Sequence, residues 1–223
     1  MLSLSNAFDT EDLENFEKKI FNYLNKKVEL EYSVEQKIDG ISASLTYKNG
    51  SLIMGTSRGD GTTGEVITEN LKTIKDIPQK ITSKDFPKDI DIRGEVFIKR
   101  GEFDKLKNDF ANPRNAASGS LRQKNPNETK KIPLNFVAYT YGYFESDKIR
   151  KQSDFLNFLQ RWGFKTNEHN KILNSIDDLR NFHKKFEKER FDLEYDVDGL
   201  VYKINSLEPV SYTHLRAHET VGN

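Results

Sequence analysis

The pair Asn49-Gly50 constrains this chain more than any other two residues. Between two extended runs, Asn-Gly specifies a two-residue turn and hence an antiparallel hairpin. Upstream, Ile41, Ala43, Leu45 and Tyr47 alternate with polar residues and place one apolar row on one face. Downstream, "LIMGTS" runs back. An all-helical fold is thereby excluded. Helical patterns surround the hairpin. Asp9 is predicted to cap a helix whose Leu13, Phe16, Ile20 and Leu24 form one apolar face, and a weaker helical pattern covers residues 66–75. Ile90, Ile92, Val96 and Ile98 mark a further strand, residues 101–110 a short helix, and "PLNFVAYTYGYF" a buried strand. Two amphipathic helices follow, "SDFLNFLQRW" stopped by Gly163 and "SIDDLRNFHKKFEKER" started by Ser175 and Asp178, before a last strand, "DVDGLVYKIN". Hairpin strands mixed with flanking helices predict the α+β class with mainly antiparallel sheets.

Composition narrows the chemistry. The chain has no cysteine, which excludes disulfides, a thiolate zinc site and a cysteine nucleophile. Its four histidines do not cluster: His169 and His183 lack paired ligand spacing, and His214 and His218 lie near the end. A metal site built on them is not expected. Lys plus Arg and Asp plus Glu number 35 each, so total charge names no partner. Local charge does: residues 110–131 carry five Lys/Arg against one Glu, in a stretch that reads as a basic loop suited to phosphate contacts. No apolar run approaches the ~20 residues that span a bilayer, and "MLSLSNAFDT" has no basic region or long apolar stretch, so no membrane contact and a cytoplasmic location are expected. For the same reason "RGD" at Arg58 to Asp60 does not read as an adhesion ligand.

The sharpest local pattern is "EQKIDG". On a strand, Glu35, Lys37 and Asp39 share a face. One reading is a solvated charge ladder at a sheet edge; the other is a lysine held to react. A nucleophilic lysine needs its amine unprotonated, so a second cation should approach, from Arg58 in "TSRGDG" or Lys203 in "VDGLVYKIN". Glu95 on the intervening strand completes a set suited to phosphoryl chemistry, and Gly40 is expected to let a nucleotide lie close to the backbone.

Taken in order, "EQKIDG", "TSRGDGTTGE", "RGEVF", "FANPRNAASGSLRQ" and "VDGLVYKIN" resemble the adenylation (nucleotidyltransferase) domain of bacterial NAD-dependent DNA ligases, from about residue 1 to 207. The resemblance implies that Lys37 attacks the α-phosphorus of NAD and keeps AMP, which passes to the 5′-phosphate of a nick in double-stranded DNA before the 3′-hydroxyl seals it. It implies that Glu35, Ser3 and Leu4 meet the adenine, Glu95 the ribose, and Arg58 and Lys203 the ribose and phosphate. Asp39 would organise the catalytic site, and Arg114 and Arg122 would face the nick. It further implies Mg²⁺, with no certain protein ligand, a monomer, a role in bacterial DNA replication and repair, and a place near the nucleoid. The family adds a helical domain before this region and a barrel, a zinc module and other domains after it. The chain is therefore expected to be a domain truncated at both ends, with residues 1–207 incomplete at their C-terminal end. Residues 208–223 match nothing in that family and read as a truncation or non-native read-through tail that continues no strand pattern. Two alternatives stand beside this reading: an ATP-dependent ligase or capping-type nucleotidyltransferase, and a non-catalytic nucleotide- or DNA-binding fragment.

Overall fold

The computed structural model describes residues 5–7, 10–61, 63–106, 109–144, 149–207 and 216–220, with the backbone alone given at 5–7, 10 and 216–220. It contains two sheets. The first has the order β1 (Ser5–Ala7), β9 (Arg216–Thr220), β8 (Val197–Ile204), β2 (Tyr32–Ile38), β7 (Lys171–Leu173). The second has the order β4 (Ser51–Ser57), β3 (Ile41–Lys48), β5 (Asp89–Phe97), β6 (Asn135–Tyr141). All pairings are antiparallel except β1 with β9. The α+β expectation holds.

The hairpin forms where Asn49-Gly50 placed it. Lys48 pairs with Ser51, and Asn49 and Gly50 stand at φ 48° and 75°. A Cβ on Gly50 would lie 2.1 Å from the Ile81 carbonyl oxygen, so glycine is required there twice over. Tyr47 and Leu45, on the hairpin's inner row, are fully buried under helices α2 (Thr68–Leu71) and α6 (Gln152–Arg161), with Leu71, Phe155, Leu159 and Trp162.

The other sheet is covered by α1 (Thr10–Leu24) and α7 (Ile176–Glu189). Leu13, Phe16 and Ile20 of the predicted α1 face pack on Tyr32, Val34, Leu200 and Tyr202, with Leu24 partly buried beside them. Ser175 caps α7 as expected, its Oγ accepting from the Asp178 amide at 3.1 Å. Asp9, the predicted cap of α1, lies outside the described residues.

Several local expectations are corrected. The basic stretch is not a loop: it holds α4 (Pro113–Leu121) and the single turn α5 (Pro126–Thr129). Asn112 accepts from the Asn115 amide at 2.7 Å, Pro113 opens the helix, and Ala116 and Ala117 are buried against Ile98. The helix predicted at 101–110 is only the turn α3 (Arg100–Phe103), and that at 66–75 only α2, where the Thr73 hydroxyl bonds the Asn70 carbonyl. Arg216–Thr220 is a strand, contrary to the expectation for the tail. The edge of β8 offers a backbone ladder, and a ladder needs no side-chain pattern.

Candidate functional site

Between the two sheets lies a cleft of about 830 Å³. Strand alternation fills its walls. On β2, Tyr32 and Val34 face the helices while Glu35 and Lys37 face the cleft; on β8, Leu200 and Tyr202 face the helices while Val201 and Lys203 face the cleft. The second sheet contributes Ser42 from β3, Arg93 and Glu95 from β5, and Tyr139 from β6. Arg58, Arg114 and Arg122 line its mouth, all three exposed. Thus Lys37, Glu35, Arg58, Glu95, Lys203, Arg114 and Arg122 come to one cleft from five separate stretches. Ser3 and Leu4 lie outside the described residues.

The pairings within the cleft differ from the expected ones. Lys203 Nζ lies 2.7 Å from Glu35 Oε2, with only 7% and 5% of the two side chains exposed. Gln152 Nε2 donates to Glu35 Oε1 at 2.9 Å, and Lys203 also reaches the Tyr139 carbonyl at 3.2 Å. The charge partner of Lys37 is a carboxylate: its Nζ sits 2.5 Å from Asp198 Oδ2. Lys203 therefore does not serve as the cation expected beside Lys37. Its Cα pairs with Ser33, four residues along the strand, or roughly 13 Å.

Asp198 owes its position to a bulge. Lys37 pairs with Gly199 but Ile38 with Val197, so Asp198 is the extra residue on β8 and swings toward Lys37. Sequence reasoning assigned Asp198 no role. The signal was present, because a glycine inside an apolar strand run marks a bulge. The same bulge ends the shared face of Glu35, Lys37 and Asp39. Asp39 lies past the end of β2 and accepts from Arg114 Nη1 at 2.8 Å, which raises the Arg114 pKa further. Packing alone already requires Gly40: a Cβ there would meet the Val96 carbonyl oxygen at 2.4 Å and Glu95 Cγ at 2.8 Å.

Glu95 accepts from Ser42 Oγ at 2.8 Å, and Ser42 Oγ lies 3.2 Å from the Tyr139 hydroxyl. Burial pushes the Glu95 pKa up to about 7, against the opposing pull of Ser42, Arg114 and Lys37. Burial and the Glu95 charge both raise the Tyr139 phenol. Arg122 Nε pairs with Glu65 at 3.0 Å on the exposed rim. Two buried atoms of cleft residues, Arg93 Nε and Thr140 Oγ1, have no hydrogen-bond partner among the described residues. They sit on paired positions of β5 and β6. An 830 Å³ cleft with unpaired buried polar atoms fits a polar organic ligand of nucleotide size. It does not fit a protein-built metal centre: among the described residues no three His, Cys, Asp or Glu gather for one.

The sequence pattern of the NAD-dependent DNA ligase adenylation domain matches residues 1–214. A DNA ligase of Pelagibacter ubique is 60% identical over 210 residues, which is 93% of this chain and 31% of that protein. A DNA ligase of Parvibaculum lavamentivorans is 44% identical over 218 residues, again 93% of this chain and 31% of the relative. The chain thus spans about a third of the length of these curated relatives. Among solved structures, an archaeal ATP-dependent RNA ligase superposes with a TM-score of 0.57 at 14% identity, covering 99% of this chain and 48% of that one. That likeness is one of fold.

Proposed function

The chain belongs to the family of NAD-dependent DNA ligase adenylation domains, and from that premise we propose that it carries the lysine-adenylating site of a bacterial DNA ligase acting in replication and repair. The observation that supports this most is the convergence of Lys37, Asp198, Glu35, Glu95 and Lys203 on one cleft of nucleotide size. The amine lone pair of Lys37 attacks the α-phosphorus of NAD. An N–P bond forms, the P–O bond to nicotinamide mononucleotide breaks, and that group leaves with the electron pair. Asp198, 2.5 Å away, is placed to take the proton lost from Nζ. AMP then passes to the 5′-phosphate of a nick in double-stranded DNA, and the 3′-hydroxyl displaces it.

The remaining roles are part of the same proposal. The Glu35 carboxylate, fixed by Lys203 and Gln152, presents a rigid acceptor for the adenine. Glu95 and Ser42 face the ribose. Arg58 serves the ribose and phosphate, Lys203 stays with Glu35 at the nucleoside rather than at the phosphate, and Arg114 and Arg122 meet the phosphates of the nick from the mouth. Asp39 orients Arg114 rather than moving a proton. The family implies Mg²⁺, but Asp39 and Asp198 are engaged by Arg114 and Lys37. No helix among the described residues is long and apolar enough to cross a membrane. A monomer acting in the bacterial cytoplasm near its DNA is part of the same proposal.

The test is intact mass after incubation with NAD or with ATP. A gain of one AMP from NAD, absent in Lys37→Ala, is expected. A gain from ATP alone would move the chain to the ATP-dependent branch. Nucleotide binding with no gain from either donor would leave a binding fragment and refute the catalytic reading of this chain.

A further inference from the structure

The segment 191–196 carries β8 into the cleft, and Arg100 grips it at several points. Arg100 opens α3 just after β5, in the other half of the molecule. Its Nε bonds Asp196 Oδ1 at 2.7 Å, and its Nη1 donates to the carbonyls of Phe191 at 2.7 Å and Leu193 at 3.0 Å. Its backbone amide donates to the Glu194 carbonyl at 2.7 Å. One residue thus engages four positions within six. Lys99 pairs with Glu194, and the Phe97 and Tyr195 rings meet edge to face at 5.3 Å.

The far end of that segment leads directly to Lys37. The Asp196 carbonyl accepts from the Asp39 amide at 2.9 Å, immediately before the bulge that swings Asp198 onto Lys37. We propose that Arg100 is a positioning residue for the Lys37 site: by clasping segment 191–196 it sets the bulge and so the contact between Asp198 and Lys37. This rests on the reading of Lys37 as the adenylated residue. The Arg100–Asp196 ion pair is itself 37% and 38% exposed, and an exposed pair alone contributes little stability. Its effect is geometric. A planar guanidinium can satisfy a carboxylate and two carbonyls at fixed angles, which a lysine ammonium cannot. Displacing a reacting group by about 1 Å costs on the order of a hundredfold in rate.

The experiment compares the whole chain with Arg100→Ala, Arg100→Lys and, as a distant surface control, Lys185→Ala. Adenylate formation is followed by intact mass against NAD concentration, beside urea unfolding of each protein. Arg100→Ala is expected to lower the maximal rate at least tenfold with KM for NAD changed less than twofold. Arg100→Lys should recover part of the rate, and Lys185→Ala should match the parent. An unchanged rate in Arg100→Ala, or a loss that follows its unfolded fraction, overturns the proposal. A second readout needs no nucleotide: acetic anhydride labelling of Lys37, quantified by peptide mass. Release from Asp198 should raise that labelling at least threefold in Arg100→Ala. Unchanged labelling refutes the clasp even if the parent chain takes no AMP, whereas raised labelling in a chain that takes no AMP upholds the clasp and refutes only the adenylation reading.

Discussion

Replacing Glu35 by Gln should destabilise the protein through what it leaves behind rather than through what it removes. The substitution keeps the shape and the contact with Gln152, but it strands the Lys203 ammonium, only 7% exposed, without its carboxylate at 2.7 Å. At an effective dielectric of about 20, two unit charges at that separation interact by roughly 6 kcal/mol, most of which offsets desolvation. Breaking a buried pair by removing one partner costs about 3–5 kcal/mol. Lys203 would retain the Tyr139 carbonyl at 3.2 Å and the Tyr139 ring at 5.6 Å, so the low end, about 3 kcal/mol, is expected. Lys203→Met alone leaves Glu35 with Gln152 and Ser33, and should cost about 2 kcal/mol. The double variant Glu35→Gln/Lys203→Met leaves no stranded charge and should cost much less than the sum. Urea unfolding of the four proteins gives the coupling energy, expected at about 2 kcal/mol or more. Additivity within ~0.5 kcal/mol would refute the reasoning, because it would mean the two groups do not need each other.

Other consequences are as direct. Glu95 has its pKa raised from 4.5 to about 7, so the folded protein holds the proton more tightly than the unfolded chain. The stability this contributes is full below about 4.5 and is lost as pH rises through about 7. Glu95→Gln should therefore gain stability relative to the parent as pH goes from 5 to 8 in urea titrations; an equal difference at both ends would contradict the burial argument. Gly50→Ala combines positive φ with a Cβ 2.1 Å from the Ile81 oxygen, and should cost about 2 kcal/mol by thermal unfolding. Asn112→Ala removes the cap of α4 and should cost about 1 kcal/mol, with helical content otherwise retained by circular dichroism.

Local chemistry wrote some of this molecule plainly into the sequence. Asn49-Gly50 determined the hairpin because only one class of turn accepts that pair, and Ser175 marked the start of α7 because its hydroxyl replaces a missing intrahelical acceptor. Alternation likewise placed Glu35 and Lys37 on one wall. What stayed hidden depends on partners distant along the chain. Helix α4 buries two alanines and a proline rather than a row of large apolar residues, so it has almost no periodic signal. Strand β7 has three residues and an exposed edge. The choice of Asp198 for Lys37 and Glu35 for Lys203 is made by cross-strand register between residues 161 and 168 positions apart. No spacing rule reaches that far. Gly40 pointed to a nucleotide when its neighbours in the sequence were considered, whereas its neighbours in space are Val96 and Glu95.

The central claim is that Lys37 is the residue that takes AMP from NAD. The most direct measurement is tandem mass spectrometry of the peptide containing residues 35–40 after exposure of the whole chain to NAD. An AMP group on Lys37 is expected, lost in Lys37→Ala and sharply reduced in Asp198→Ala. An AMP group on another lysine, or one that persists when Lys37 is replaced, would contradict it.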